Sequence, residues 1–283
     1  MGMKRMIYRI AKLLNHNSFI GIESGAKQEC LIMGKGIAFG KKIGQTIEVP
    51  QDARIYSLKE LTDRGDAREI INSVSPVCLE LANEILREAE AEFGDIDRSI
   101  LFPIADHLDF AIRRLQRGEQ ISNPLTEDIR ILFYKEYKVA GCIAPMLKEK
   151  FQIELDEHET GYIALHVHSA IVDEKVSQAM EIARTVRECI SLVEKETGNS
   201  IDVMSLAYNR LMNHVRYMVA RAIHGEKLKM NLNDYMSVKF PEAFHASERI
   251  CREMEKRLGL PMPDIEIGYL AMHLERMLDS ETE

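Results

Sequence analysis

Apolar positions change their period near residue 60. Over residues 6–58 they fall in short runs, Met6–Leu14, Ser18–Glu23, Gln28–Met33, Thr46–Val49 and Arg54–Leu58. The breaks carry turn formers: Asn15-His16-Asn17, Ser24-Gly25 and the Gly34/Gly36/Gly40 cluster. Runs of this length with such punctuation predict five strands. After a polar stretch at 59–67 that contains Asp63 and Gly65, apolar residues recur every three or four positions. Ile104, Leu108, Ala111, Ile112 and Leu115 form one such series; Leu211, Val215, Met218, Val219 and Ala222 form another. This spacing predicts amphipathic helices that each bury one stripe. The pattern as a whole predicts a small all-β N-terminal domain followed by a much longer helical region.

The helical region is internally repeated. A shift of 107 residues lays Glu159-Thr-Gly-Tyr-Ile-Ala-Leu-His166 on Glu266-Ile-Gly-Tyr-Leu-Ala-Met-His273, with five of eight positions identical. The same shift, without a gap, lays His107-Leu-Asp-Phe-Ala-Ile-Arg-Arg114 on His214-Val-Arg-Tyr-Met-Val-Ala-Arg221, and Phe133 and Tyr137 on Phe240 and Phe244. A fixed period over this length predicts two copies of one all-α helical-bundle domain. Each copy carries two histidines at the same separation, His107 with His166 and His214 with His273. His16, His158, His168, His224 and His245 lack such partners and read as ordinary surface or core residues.

Composition removes several classes. The 283 residues are 46% hydrophobic and 29% charged, as in an ordinary globular protein. No apolar run approaches the roughly 18 residues that span a bilayer, and no signal-peptide pattern opens the chain. Stable membrane insertion is therefore not expected. Five cysteines stand singly at 30, 78, 142, 189 and 251 with no CxxC pair. An odd, scattered set predicts reduced thiols in a cytoplasmic protein and neither a disulfide framework nor a zinc site.

Charge reinforces the division. The total is −8, but residues 1–58 hold nine basic against four acidic side chains, +5, leaving 28 basic against 41 acidic, −13, in the remainder. A basic module on an acidic body suggests that the module meets a polyanion. Within it, Phe39 between Ala38 and Gly40 is a candidate stacking platform for a base. Asn15 and Asn17 supply amides suited to base edges. Gly34 and Gly36 allow close backbone approach, and Lys12, Lys35, Lys41 and Lys42 supply phosphate attraction. The alternative at each position is structural: Phe39 in a core, the asparagines as turn formers, the glycines at a bulge.

The twinned histidines admit more than one chemistry. Imidazole serves as metal ligand, general base or phosphate-accepting nucleophile. Glu159 and Glu266 stand seven residues before the second histidine of each copy, and Arg114 and Arg221 seven residues after the first. A cation beside each histidine disfavours a metal ion and suits a dianionic phosphoryl group, while the carboxylate can hold one imidazole nitrogen as N–H. Phosphoacceptor is thus favoured over metal ligand, with a metal or phosphotransfer enzyme bearing an accessory β domain as the rival. The surroundings differ between copies: Asp106 and Asp109 flank His107, whereas Arg216 follows His214 at the place matching Asp109. From this alone, added negative charge is expected to disrupt the first copy and order the second.

These residues resemble the BglG/SacY/LicT family of bacterial transcriptional antiterminators, over nearly the whole chain. Ile10-Ala11-Lys12-Leu13-Leu14-Asn15-His16-Asn17 is similar to the family's first strand and Asn-containing turn. Met33-Gly34-Lys35-Gly36-Ile37-Ala38-Phe39-Gly40-Lys41-Lys42 is similar to its Gly-basic-Gly…Phe…Lys-Lys signature. Lys35 stands where relatives often carry Arg, and His16 where they often carry a third Asn. The resemblance implies a co-antiterminator RNA-binding domain at 1–58, a linker at 59–65, and two phosphotransferase-system regulation domains at 66–172 and 173–280. It implies that a homodimer binds a leader-RNA hairpin to prevent termination of a sugar-utilisation operon. It also implies that HPr and sugar-specific enzyme II components phosphorylate His107, His166, His214 and His273, with Arg114 and Arg221 supporting the phosphate. No cofactor, metal or DNA partner is expected, nor turnover catalysis. A DNA-binding activator with such regulatory domains would need a helix-turn-helix where this chain reads as strands.

Overall fold

The computed structural model describes residues 6–25, 28–59, 61–62, 65–172, 174–198, 201, 205–226, 228–259 and 261–279. Glu60, Asp63 and Arg64 of the expected linker lie outside the described residues, as do the expected end points Asp173 and Ser280. Five antiparallel strands open the chain: β1 (Ile7–Asn15), β2 (Ser18–Glu23), β3 (Glu29–Met33), β4 (Thr46–Glu48) and β5 (Arg54–Ser57), in the order β4-β1-β2-β3-β5. They coincide with the five predicted runs. Alternation in β1 turns Tyr8 and Ile10 inward, where they pack with Phe19, Ile32, Ile47 and Val49. The central strands also bury Leu31 and Met33, so these strands are covered on both faces. A short hairpin, β6 (Leu61–Thr62) with β7 (Gly65–Asp66), occupies the stretch expected to be only linker.

Helices follow: α1 (Ala67–Ser73), α2 (Pro76–Phe93), α3 (Leu101–Gln116), α4 (Thr126–Leu132), α5 (Tyr134–Ala140), α6 (Ala144–Phe151), α7 (Glu157–Ile171), α8 (Val176–Thr197), α9 (Leu206–His224), α10 (Asn233–Lys239), α11 (Pro241–Leu258) and α12 (Ile265–Asp279). Their starts are written in the sequence. Ser75, Asp156 and Ser205 cap α2, α7 and α9, accepting from the amides of Val77, Glu159 and Tyr208. Gly198, Gly225 and Gly259 close α8, α9 and α11.

The sequence repeat is a structural repeat. The 107-residue shift maps α4 onto α10 residue for residue, and maps Tyr134–Phe151 onto the whole of α11. The first copy breaks that span into α5, a tight turn at Gly141–Ile143, and α6. Gly141 and Pro145 stand where α11 has Glu248 and Arg252, and both weaken a helix interior. Gly268, in the repeated Glu-x-Gly-Tyr segment, lets α12 approach the start of α10: a Cβ there would lie 2.7 Å from Asn233 Oδ1 and 2.8 Å from the Leu232 carbonyl carbon.

Contacts divide the chain into two compact units, Met1–Asn123 with Lys135–Glu174, and Pro124–Tyr134 with Lys175–Glu283. Helix α4, expected in the first helical copy, thus packs in the second unit on α8 and α9. Arg187 fixes its start through the Pro124 carbonyl, and Arg216 donates to the Leu132 carbonyl at its end (3.1 Å). The five cysteines are free, and burial pushes the Cys78 and Cys251 thiols up to about 12. No helix among the described residues is long and apolar enough to cross a membrane.

Candidate functional site

The β1–β2 turn and the loop after β3 form one face. Asn17 O accepts from Gly34 N (2.9 Å), Asn17 Oδ1 from Gly36 N (2.8 Å) and His16 O from Ala38 N (3.0 Å). Gly36 can join because its φ of 65° is one that a side chain would resist. Asn15, Asn17, Gly34, Lys35 and Phe39 are thereby brought together. Phe39 is not core: it is 69% exposed, with the His16 ring edge-on at 5.3 Å. Lys12, Lys35, Lys41 and Lys42 are all exposed, and Lys12 also donates to Asn72 Oδ1 (2.8 Å) on α1. An exposed ring between amides and lysines is the arrangement that stacks an unpaired base while holding backbone phosphates. His16 as a partner of Phe39 is invisible in the sequence, since edge contacts across a loop leave no periodic trace.

The repeated histidines meet in pairs. In the first unit, α3 presents His107 to His166 and Tyr162 of α7, with ring centroids 5.5 and 5.9 Å away. In the second, α9 presents His214 to His273 and Tyr269 of α12, at 4.6 and 6.2 Å, both stacked. Beneath each pair lies a buried carboxylate, Glu159 or Glu266, 0% and 1% exposed. Tyr162 and Tyr269 stand in the repeated segment, so the 107-residue repeat marks them as well.

One carboxylate serves two claimants, and the copies divide it differently. Arg114 takes Glu159 Oε1 and leaves Oε2 3.2 Å from His107 Nε2. Arg221 instead takes both oxygens of Glu266, Nε to Oε1 at 2.7 Å and a terminal nitrogen to Oε2 at 2.9 Å. His214 Nε2 is left 4.0 Å from Oε2; neither it nor His107 Nε2 makes a well-formed hydrogen bond among the described residues. Burial alone would raise the Glu159 carboxyl, but His107 and Arg114 beside it outweigh this and hold the group below its usual range. Burial, then the neighbouring His273 and Arg221, push His214 down to about 3, and burial with Arg276 and Arg210 lowers His273. His214 and His273 are thereby favoured as neutral imidazoles, each with one nitrogen lone pair.

The expected local asymmetry is not found at the histidines. Asp109 accepts from the Ser75 amide (2.9 Å) and pairs with Arg113 (2.7 Å), while Arg216 is spent on the Leu132 carbonyl and the Tyr217 ring. Residues two apart on a helix do not share a face, so Asp109 and Arg216 point away from His107 and His214. Arg114 and Arg221, expected beside a phosphate, are bound to the glutamates. Of the histidines without a counterpart in the repeat, His158 Nδ1 accepts from Asn123 N (3.4 Å), His168 pairs with Glu136 (3.0 Å) and His245 with Glu248 (3.0 Å). The His224 side chain lies outside the described residues.

Comparison with known proteins gives the family. A model of the PRD domain matches residues 69–170 and again 187–277, and a model of the CAT RNA binding domain matches residues 8–64. The transcription antiterminator LicT of Bacillus subtilis is 27% identical over 274 residues, covering 95% of this chain and 99% of that protein. Protein GlcT of Staphylococcus haemolyticus is 26% identical over 279 residues (94% and 95%), and the beta-glucoside operon antiterminator of Dickeya chrysanthemi 26% over 275 (95% and 96%). The crystal structure of GlcT CAT-PRDI superposes with a TM-score of 0.50 at 28% identity, over 59% of this chain and 99% of that one. These relatives are regulators, and the enzyme reading is not favoured. With the RNA-binding model at its N-terminus and the PRD model matched twice behind it, the chain belongs to the family of CAT–PRD transcription antiterminators.

Proposed function

We propose that this protein is a cytoplasmic, homodimeric antiterminator that stabilises a leader-RNA hairpin of a sugar-utilisation operon, and that phosphate on His107, His166, His214 and His273 controls it. The copies carrying these residues are proposed to run from 66 to 172 and from 173 to 280. What supports the reading most is that two copies separated by 107 residues each bring two histidines, a buried glutamate and an arginine to one point. Phosphoryl transfer here needs only an imidazole lone pair, which attacks the phosphorus of a phosphorylated carrier as the bond from that phosphorus to the carrier's own side chain breaks. By family resemblance, a sugar-specific enzyme II component acts on the first copy to switch the protein off, and HPr acts on the second to switch it on. A dianion arriving beside Glu159 or Glu266 must compete with that carboxylate for the same guanidinium. Such competition makes the site a two-state element rather than a passive tag.

Mapping the phosphate tests this reading. Incubation with phosphorylated carriers should place acid-labile label on the four paired histidines, read by mass spectrometry at alkaline pH. Label confined to His16, His158, His168, His224 or His245 would show that the repeat singled out the wrong residues.

RNA binding offers an independent check. Phe39→Ala should weaken binding of the hairpin by about 1–3 kcal/mol through loss of stacking. Lys41→Ala should weaken binding to all RNAs and flatten the salt dependence. Equal affinity for duplex DNA and hairpin would contradict specific RNA readout.

A further inference from the structure

We infer that the Glu80 carboxylate occupies, from within the same chain, the hydrogen-bonding site that Asn15 and Asn17 offer to RNA, so that the helical part of the first unit competes with RNA for these two amides. The inference rests on the RNA reading of the Asn15–Phe39 face and adds how that face is controlled.

The two asparagines are committed on one side only. Asn15 Oδ1 already accepts from Asn17 N (2.8 Å) and Ser18 Oγ (2.9 Å), and Asn17 Oδ1 accepts from Gly36 N (2.8 Å). Their carbonyl halves belong to the turn, and what remains for a ligand is a pair of NH2 groups. Both converge on one atom: Asn15 Nδ2 donates to Glu80 Oε1 at 3.0 Å and Asn17 Nδ2 donates to the same oxygen at 2.9 Å. Lys150 Nζ holds the other oxygen, Oε2, at 3.0 Å. A site made only of donors selects acceptor oxygens, such as those of phosphate, ribose or base carbonyls. A carboxylate is the closest substitute a protein can offer, and its charge strengthens both bonds beyond neutral ones.

The placement is built rather than incidental. Glu80 shares one side of α2 with Asn83, which accepts from the Tyr56 hydroxyl at 2.7 Å, and with Glu90, which pairs with Arg54 at 2.6 Å. Thus α2 is anchored along β5 and delivers Glu80 to the turn. Lys12 is meanwhile drawn to Asn72 of α1. Phe39 and Lys35 stay exposed, so RNA can make first contact there but must displace Glu80 to reach the amides. The N-cap of α2 is tied to α3, the helix of His107, through the Ser75 N–H donated to Asp109 at 2.9 Å. A rearrangement at that histidine therefore has a short physical route to the mask.

The test uses the full chain and, as probe, an imperfect RNA hairpin selected against the wild-type protein from a pool with randomised internal loops. Failure of the pool to enrich any RNA would sink the RNA reading itself. With a binding hairpin in hand, Glu80→Ala should bind about tenfold tighter than wild type, because two charge-assisted hydrogen bonds no longer have to be broken. Glu84→Ala removes the same charge one turn away, where it pairs with Arg87 and not with the asparagines, and should leave affinity unchanged. The Glu80→Ala gain should vanish when Asn15 and Asn17 are both alanine, a coupling that simple charge removal does not produce. Without RNA, Glu80→Gln should shift the side-chain amide resonances of Asn15 and Asn17. Unchanged affinity in Glu80→Ala, an equal gain in Glu84→Ala, a gain that persists without the asparagines, or unmoved amide resonances would each overturn the inference while leaving RNA binding intact.

Discussion

Glu266→Ala should destabilise the second unit by about 3–5 kcal/mol, the loss expected when one partner of a buried ion pair is removed and the other charge stays behind. Glu266 is enclosed, and it holds the Arg221 guanidinium with two hydrogen bonds, at 2.7 and 2.9 Å. Alanine would strand that cation, whose side chain is only 16% exposed, without its carboxylate. Glu159→Ala should act alike on the first unit through Arg114. A surface pair gives the scale: Glu181, half-exposed against Arg184 at 3.4 Å, should cost less than about 1 kcal/mol on replacement. Urea unfolding of each variant measures the difference. Replacing Glu266 and Arg221 together by methionine should restore much of the loss, because no charge is then stranded. A small effect of Glu266→Ala alone would mean that water reaches Arg221 freely.

Acidification should destabilise the second unit well before its carboxylates titrate. His214 is held near 3 in the folded chain and returns to about 6.5 when unfolded. The unfolded form therefore binds the extra proton first as pH falls. The stabilisation is complete above pH 6.5 and drains away between 6.5 and about 3, by at most about 1.4 kcal/mol per pH unit for this one group. His273, lowered by burial and by Arg276 and Arg210, adds in the same direction. Urea midpoints at pH 7 and pH 5 would show it, and His214→Gln should flatten the slope over that window. Stability that rises on acidification would mean that His214 is charged in the folded state.

What the sequence reveals and conceals follows physical lines. The strands from Ile7 to Met33 are legible because each is short and largely apolar, and the turn formers Asn15–Asn17, Gly25 and Gly34 mark their ends. The histidine sites are legible because the gene's repetition repeats their chemistry, making His107 and His214 visible together where either alone would pass as ordinary. Glu80 is not legible. It is one of many acids on α2, and its meaning depends on a turn more than 60 residues earlier in the chain. Nor does spacing foretell that α4 packs on α8 and α9 while its counterpart α10 packs on α11 and α12. Propensity sets the helix, but the neighbour is chosen by tertiary contacts. The charges beside His107 and His214 mislead for a related reason: proximity in sequence is not proximity on a helix.

The side chains of His107 and His214 are only 10% and 8% exposed, and the Nε2 of each is buried. If these histidines take phosphate as proposed, a donor protein has to reach a largely covered ring, and transfer waits for the helices to part. If parting costs about 3 kcal/mol, fewer than about one molecule in a hundred is receptive at any instant. The speed of labelling then measures how often the bundle breathes, quite apart from how strongly the donor is attracted to it. Two copies of one domain with differently shared carboxylates can thus keep separate clocks, and a cell with a fixed supply of phosphorylated carriers would write on one copy sooner than on the other.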